Sequence, residues 1–220
     1  MTDEYTTAKN AIREGVRKWF TELRDKYPAE HFYAVAIYTD DDFSGPEPTA
    51  HSLERLEELY RQQGDLDDRE RCYFKWAWNE WLGFPGAGVS LDPVQVAWDV
   101  FGEKEVPDEP EPWDDEYDTY REAVDAECAK RLAATFDGLK ELSDEGFFGE
   151  GESRITVFCS IGDSCHAGWT ECESAKRINP PDVFARYAPE QAQAAAVIYG
   201  DDANQAGHLA AVYYKLFGRQ

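Results

Sequence analysis

The chain has 220 residues, of which 45 are Asp or Glu and 22 are Lys or Arg, leaving a net charge of −23. Residues 40–70 hold 11 acids against 3 bases and residues 103–127 hold 12 against 2, a distribution that repels nucleic acid and anionic membranes and steers cationic partners toward those segments. With 42% hydrophobic and 14% aromatic residues, the chain has enough apolar surface for a folded core, which excludes disorder throughout.

From Thr7 to Leu23 the apolar residues Ala8, Ala11, Ile12, Val16, Trp19, Phe20 and Leu23 recur at the three-and-four spacing of one buried helical face. The run His31 to Thr39, HFYAVAIYT, is rich in aromatic and branched residues and ends at an acidic turn, so it reads as a central strand. A second helix follows Ser52 as its N-cap, with Leu53, Leu56, Leu59 and Tyr60 inward and Gly64 just past its end. The aromatic run Cys72 to Trp78 is read as a further strand.

Residues 83–93 form a turn-rich loop ahead of a short helical stretch from Val94 to Phe101. The segment VPDEPEPWDDEYD, Val106 to Asp118, combines three prolines with seven acids and is expected to be a mobile surface loop. A long helix from about Tyr117 to Leu142 carries Tyr120, Val124, Cys128, Leu132, Phe136 and Leu139 on its buried stripe. Arg154 to Ile161 alternates as a strand, Pro181 to Tyr187 is a short helix, and Pro189 to Phe217 is an Ala-rich helix pair broken near Gly200. This order predicts an α+β fold with an antiparallel or mixed sheet packed with helices. We expect one main domain over residues 1–187 and a helical C-terminal extension over residues 188–220.

The opening MTDEYTTAKN has neither the basic start nor the apolar run of an export signal, and no apolar stretch reaches membrane-spanning length, so a cytoplasmic location is expected. The odd set Cys72, Cys128, Cys159, Cys165 and Cys172 argues against a disulfide framework. The gaps around Cys159, Cys165, His166 and Cys172 match no common zinc pattern, and Cys159 alternates with Ile155, Val157 and Ile161 as a core residue. No cofactor or metal ion is expected.

Four sequence words occur in a recognisable order: an N-terminal amphipathic helix, YAVAIYTDDD from Tyr33, YFKWAWNEW from Tyr73, and a long helix leading into LSDEGFFG from Leu142. Together they resemble a bacterial domain-of-unknown-function family, number 4303, over about residues 5–187. The resemblance implies an α+β fold and a bacterial origin, and it implies no mechanism. The long acidic loop and the C-terminal residues go beyond the recognised pattern.

Three features could carry chemistry. Asp40, Asp41 and Asp42 close the first strand, where clustered carboxylates can hold a cation or act as an acid/base pair, although an exposed acidic turn is the favoured reading because turn positions readily accept Asp, and the EF-hand spacing is absent. The aromatic cluster Tyr73, Phe74, Trp76, Trp78 and Trp81 can anchor an interface or fill a core. Cys165 and His166 place a thiol beside an imidazole, but neighbours on an extended chain point apart, and His31, His51 or His208 would have to supply a partner in space.

Two classes of function follow. The first is an acidic protein-binding module that captures a basic partner, as an immunity-type inhibitor masks a nuclease-like toxin, through Asp40, Asp41 and Asp42 and through Asp108, Glu109, Glu111, Trp113, Asp114, Asp115 and Glu116 of the acidic loop. Trp113, the one large apolar side chain of that loop, either contacts the partner or staples the loop to the domain. The second is a small metal- or thiol-dependent enzyme using Asp40 and Asp42 or Cys165.

Overall fold

The computed structural model describes residues 3–40, 45–84, 110, 111, 113, 116–162, 166–199 and 207–218. Helix α1 (Asp3–Lys26) leads into strand β1 (Phe32–Thr39), which pairs antiparallel with β2 (Glu47–Ser52) and parallel with β3 (Thr156–Ile161). The sheet order β2-β1-β3 is mixed, and β1 is central, as its aromatic and branched composition predicts.

Alternation along β1 builds two cores. Val35 and Ile37 join Val157, Cys159 and Ile161 of β3 beneath Ile12, Val16 and Phe20 of α1. Leu132, Phe136 and Leu139 of helix α4 (Tyr117–Asp144) complete this larger cluster, so the stripe read from the sequence on α4 is buried from Cys128 to Leu139 while Tyr120 and Val124 are half-buried, and that on α1 is buried except for partly buried Ala11. Ala34, Ala36 and Phe158 face the opposite way and pack on Trp76, Trp81 and Tyr187.

Helix α2 (Leu53–Gln63) starts at Ser52, whose hydroxyl accepts from the Arg55 N–H, and ends at Gly64 with φ +90°. The strand expected over Cys72 to Trp78 is instead helix α3 (Asp68–Trp76) followed by a short 3₁₀ turn (Trp78–Glu80). A capping box overrides the β propensity of the aromatics: Asp67 accepts from the Glu70 N–H while the Glu70 carboxylate accepts from the Asp67 N–H. The run also keeps Trp76 on the core side at helical rather than alternating spacing. Strand β2, EPTAHS, carries little β propensity and a proline at Pro48, which an edge strand tolerates.

Helix α5 (Ala167–Ile178) runs beside β3, and α6 (Pro181–Tyr199) continues through Pro189. The separate helices expected before and after Pro189 are therefore one. Losing a backbone hydrogen bond and seating the ring costs about 3 kcal/mol, which is offset by the burial of Tyr187, Gln191, Ala194 and Ala195 and by Glu190, which binds Lys75 and Trp76. The same helix crosses the expected boundary at residues 187 and 188. Helix α7 (His208–Phe217) lies against α4, with Tyr213 buried 5.8 Å from the Phe136 ring. The stretch Val94 to Phe101 lies outside the described residues.

Helix α5 also closes the outer edge of β3. The Asn179 side chain accepts from the Val157 N–H at 3.0 Å and donates to the Val157 carbonyl at 2.7 Å, reproducing the hydrogen bonds of a neighbouring strand. Ser174 Oγ accepts from the Cys159 N–H at 2.8 Å. A strand edge that would otherwise offer free pairing groups is thereby satisfied inside the molecule.

Candidate functional site

The carboxyl ends of β1 and β3 meet where the Gly162 N–H donates to the Thr39 carbonyl at 2.7 Å. Alternation turns Tyr38 away from the Val35 and Ile37 side of the sheet, and the break after α3 at Ala77 delivers Trp78 onto it. The two rings stack with centroids 4.0 Å apart and planes 16° from parallel. The Tyr38 hydroxyl donates to the Glu47 carboxylate of β2. Burial, together with that hydrogen bond, raises the Tyr38 phenol pKa to about 12, so it stays a donor. A Cβ at Gly162 would stand 3.8 Å from the Trp78 ring, which sets the aromatic pair directly beside the strand ends. Asp40, the next residue after β1, is exposed, as is Glu47. The result is a half-buried aromatic pair with one carboxylate, that of Glu47, bonded to it and a second, that of Asp40, two residues past Tyr38 in the chain.

Of the ten residues expected to bind a partner, the structure describes Asp40, Glu111, Trp113 and Glu116, and all four are exposed. Trp113 is 79% exposed and, among the described residues, makes no hydrogen bond or ring contact, so no described residue staples it to the domain. No hydrogen bond or ion pair joins Asp40 to Glu111 or Glu116 among the described residues. Asp41, Asp42, Asp108, Glu109, Asp114 and Asp115 lie outside the described residues.

The aromatic cluster divides between core and surface. Trp76 and Trp81 are buried, whereas Tyr73, Phe74 and Trp78 are partly exposed. Trp81 stacks on the ring of His51 at 5.3 Å. Tyr33 donates its single hydroxyl proton to the Lys75 carbonyl at 2.7 Å, so in its 3.0 Å contact with His51 the Nδ1–H is the donor. His51 Nε2 is then a buried acceptor with no hydrogen-bond partner among the described residues. Burial, with Arg55 adding to it, lowers the His51 pKa to about 3.

The thiols Cys72, Cys128, Cys159 and Cys172 are free, and burial raises the pKa of each, that of Cys128 to about 12. These are poor nucleophiles. Cys165 lies outside the described residues. His166 is half-buried against Gly207, and burial lowers its pKa, with Asp125 opposing and Arg121 and His208 adding. His208 Nδ1 is hydrogen-bonded to Asp125. Among the described residues no group of three or more His, Cys, Asp or Glu could hold a metal ion.

One buried carboxyl leaves almost no mark in the sequence. Glu171 of α5 accepts from Ser160 Oγ of β3 at 2.7 Å and from Gln191 Nε2 of α6 at 3.3 Å. Burial raises its pKa to about 7 against the opposing pull of those two hydrogen bonds. Its only sequence signal is its place in the WTECES run, four residues from Ala175.

The fold is α+β, and the described residues form a three-stranded mixed sheet with helices on both faces. Residues 12–180 match the model of the family described as Domain of unknown function (DUF4303), and the chain belongs to that family. No curated protein and no solved structure matches the chain. Among the described residues no helix is long and apolar enough to cross a membrane.

Proposed function

We propose that this protein is an acidic protein-binding module that captures a basic partner. The observation that carries this reading is the stacked Tyr38–Trp78 pair, with exposed Glu47 accepting from Tyr38 and exposed Asp40 two residues further along the chain. A lysine or arginine from a partner meets carboxylates and a ring face at one place there, which joins charge attraction to cation–π contact. The net charge of −23 supplies long-range attraction, and exposed Trp113, with Glu111 and Glu116, supplies a second aromatic contact in an acidic setting. An immunity-type inhibitor in a bacterium, masking the nucleic-acid cleft of a basic toxin, is the form of this function that best suits the charge. The enzyme reading leans on Asp40 and Asp42 or on Cys165, of which Asp42 and Cys165 lie outside the described residues.

The test is kinetic. The locus is sequenced for an adjacent gene that encodes a basic protein, and that protein, made in an inactive form, is passed over the immobilised chain at about 0.15 M and about 1 M salt, where charges are screened over ~8 Å and ~3 Å. The on-rate is expected to fall steeply with salt, and Trp78→Ala and Trp113→Ala are expected to speed dissociation. An on-rate indifferent to salt, with both variants binding like the parent, refutes electrostatic capture at these surfaces.

A further inference from the structure

The amino ends of β1 and β3 open on a cavity of ≈ 400 Å³ between α3 and α6, remote along the strands from the Tyr38–Trp78 platform. In a chain with twice as many acids as bases, Lys75, Arg154 and Arg186 all line this one cavity. Their pairing is uneven. Lys75 is neutralised by Glu190 at 2.6 Å, and the same carboxylate accepts from Trp76 Nε1 at 2.8 Å. Arg154 spends Nη2 on the neutral carbonyl and hydroxyl of Ser143, at 2.5 and 2.7 Å, and its Nε–H is buried with no hydrogen-bond partner. Arg186 is exposed and, among the described residues, enters no hydrogen bond, ion pair or ring contact. Glu152 lines the cavity too, but pairs with neither arginine.

Two guanidinium groups without a carboxylate partner are an unusual expense in so acidic a protein, because any neighbouring Asp or Glu could have satisfied them. The wall they share is aromatic: Tyr33, Trp76 and Tyr187 line it, and Trp76 meets Tyr187 edge to face at 4.8 Å. The volume falls in the range of small-molecule sites, which join an apolar wall to a few convergent polar groups. We propose that this cavity binds a small organic anion, its carboxylate or phosphoryl group held by Arg154 and Arg186 and its flat apolar part laid along the Tyr33, Trp76 and Tyr187 wall.

The proposal is independent of capture of a basic partner, because it needs no partner present. The probes are benzoate, phenyl phosphate, benzyl alcohol and inorganic phosphate, each titrated into the full chain and followed by calorimetry and by tryptophan fluorescence. Saturable binding is expected for benzoate or phenyl phosphate, the stronger of the two identifying the anion class, with benzyl alcohol and inorganic phosphate at least about tenfold weaker. Arg186→Ala is expected to weaken the better probe about tenfold or more and Arg186→Lys to restore part of it, while far-UV and thermal profiles stay those of the parent because the side chain is exposed. Absence of saturable binding by both ring-bearing anions, or equal affinity in Arg186→Ala and the parent, overturns the proposal. Benzyl alcohol binding as tightly as benzoate overturns it as well.

Discussion

Glu171 reaches from helix α5 into the core and accepts a hydrogen bond from Ser160 Oγ of β3 at 2.7 Å, with only 5% of its surface exposed. An acid in that position is kept protonated by burial up to about pH 7, whereas in an unfolded chain it would ionise at its ordinary value of 4.5. Folding therefore retains a proton that the unfolded chain sheds. The stabilisation is complete below about pH 4.5 and is lost as pH rises through about 7, at up to about 1.4 kcal/mol per pH unit. Glu171→Gln, which keeps the shape without the ionisation, should gain stability relative to the parent between pH 5 and pH 8, by an amount on the order of 2–3 kcal/mol. Urea unfolding at the two pH values measures it, and a difference that does not change with pH would mean that Glu171 is ionised in the fold.

His51 tilts the balance the other way. Its imidazole is held neutral down to about pH 3, while an unfolded histidine takes up a proton near 6.5, so its contribution is present above 6.5 and is lost as pH falls toward 3. Between about 4.5 and 6.5 the two groups oppose each other, one favouring the folded state at lower pH and the other at higher. His51→Gln is expected to be less stable than the parent at pH 7 and to close that gap on acidification. Denaturant midpoints at pH 7 and pH 4.5 decide it: a gap that widens in acid contradicts a neutral His51.

Gly138 marks a close approach of α4 to α1. A Cβ there would lie 2.7 Å from the backbone carbonyl oxygen of Lys9 and 3.2 Å from Ile12. Alanine would favour the helix by about 1 kcal/mol, but the obstacle is backbone, and overpacking costs typically about 1–3 kcal/mol. We expect Gly138→Ala to lower the Tm, by about 2–4 °C per kcal/mol lost. A Tm equal to or above the parent's would show that α1 can slide without penalty.

Asn179 stands in for a missing strand, so its removal leaves the buried N–H and carbonyl of Val157 without partners. At about 1–3 kcal/mol for each of the two orphaned groups, Asn179→Ala should cost about 2–6 kcal/mol. Chemical denaturation gives the loss directly. A change under about 0.5 kcal/mol would mean that water replaces the side chain.

The elements that were legible in the sequence are those whose residues agree among themselves. The stripe from Ala8 to Leu23, the run from Phe32 to Thr39 and the cap at Ser52 each state one periodicity or one capping chemistry without contradiction. Helix α3 was misread because its aromatics speak for a strand while Asp67 and Glu70 speak for a helix start, and the cap prevails. Strand β2 was missed because EPTAHS forms only by pairing with β1, a tertiary effect absent from its own composition. At the candidate surface, Asp40 and Trp113 could be named from charge and composition, but the Tyr38–Trp78 stack joins residues on separate elements. The cavity arginines are further apart still, Arg154 preceding β3 and Arg186 lying in α6.

The pairing of α1 with α4 has a consequence for the chain as it is made. Lys9 meets Glu141 across 132 positions and Arg13 meets the same residue across 128. At synthesis rates of about 5–20 residues per second, roughly 6–26 s pass between the appearance of α1 and that of the helix that covers it. Throughout that interval Ile12, Val16, Trp19 and Phe20 have no α4 to bury them. The nascent chain must therefore carry an uncovered amphipathic helix until α4 arrives, which makes α1 a natural point of attachment for chaperones and a place prone to aggregation when translation stalls before residue 141.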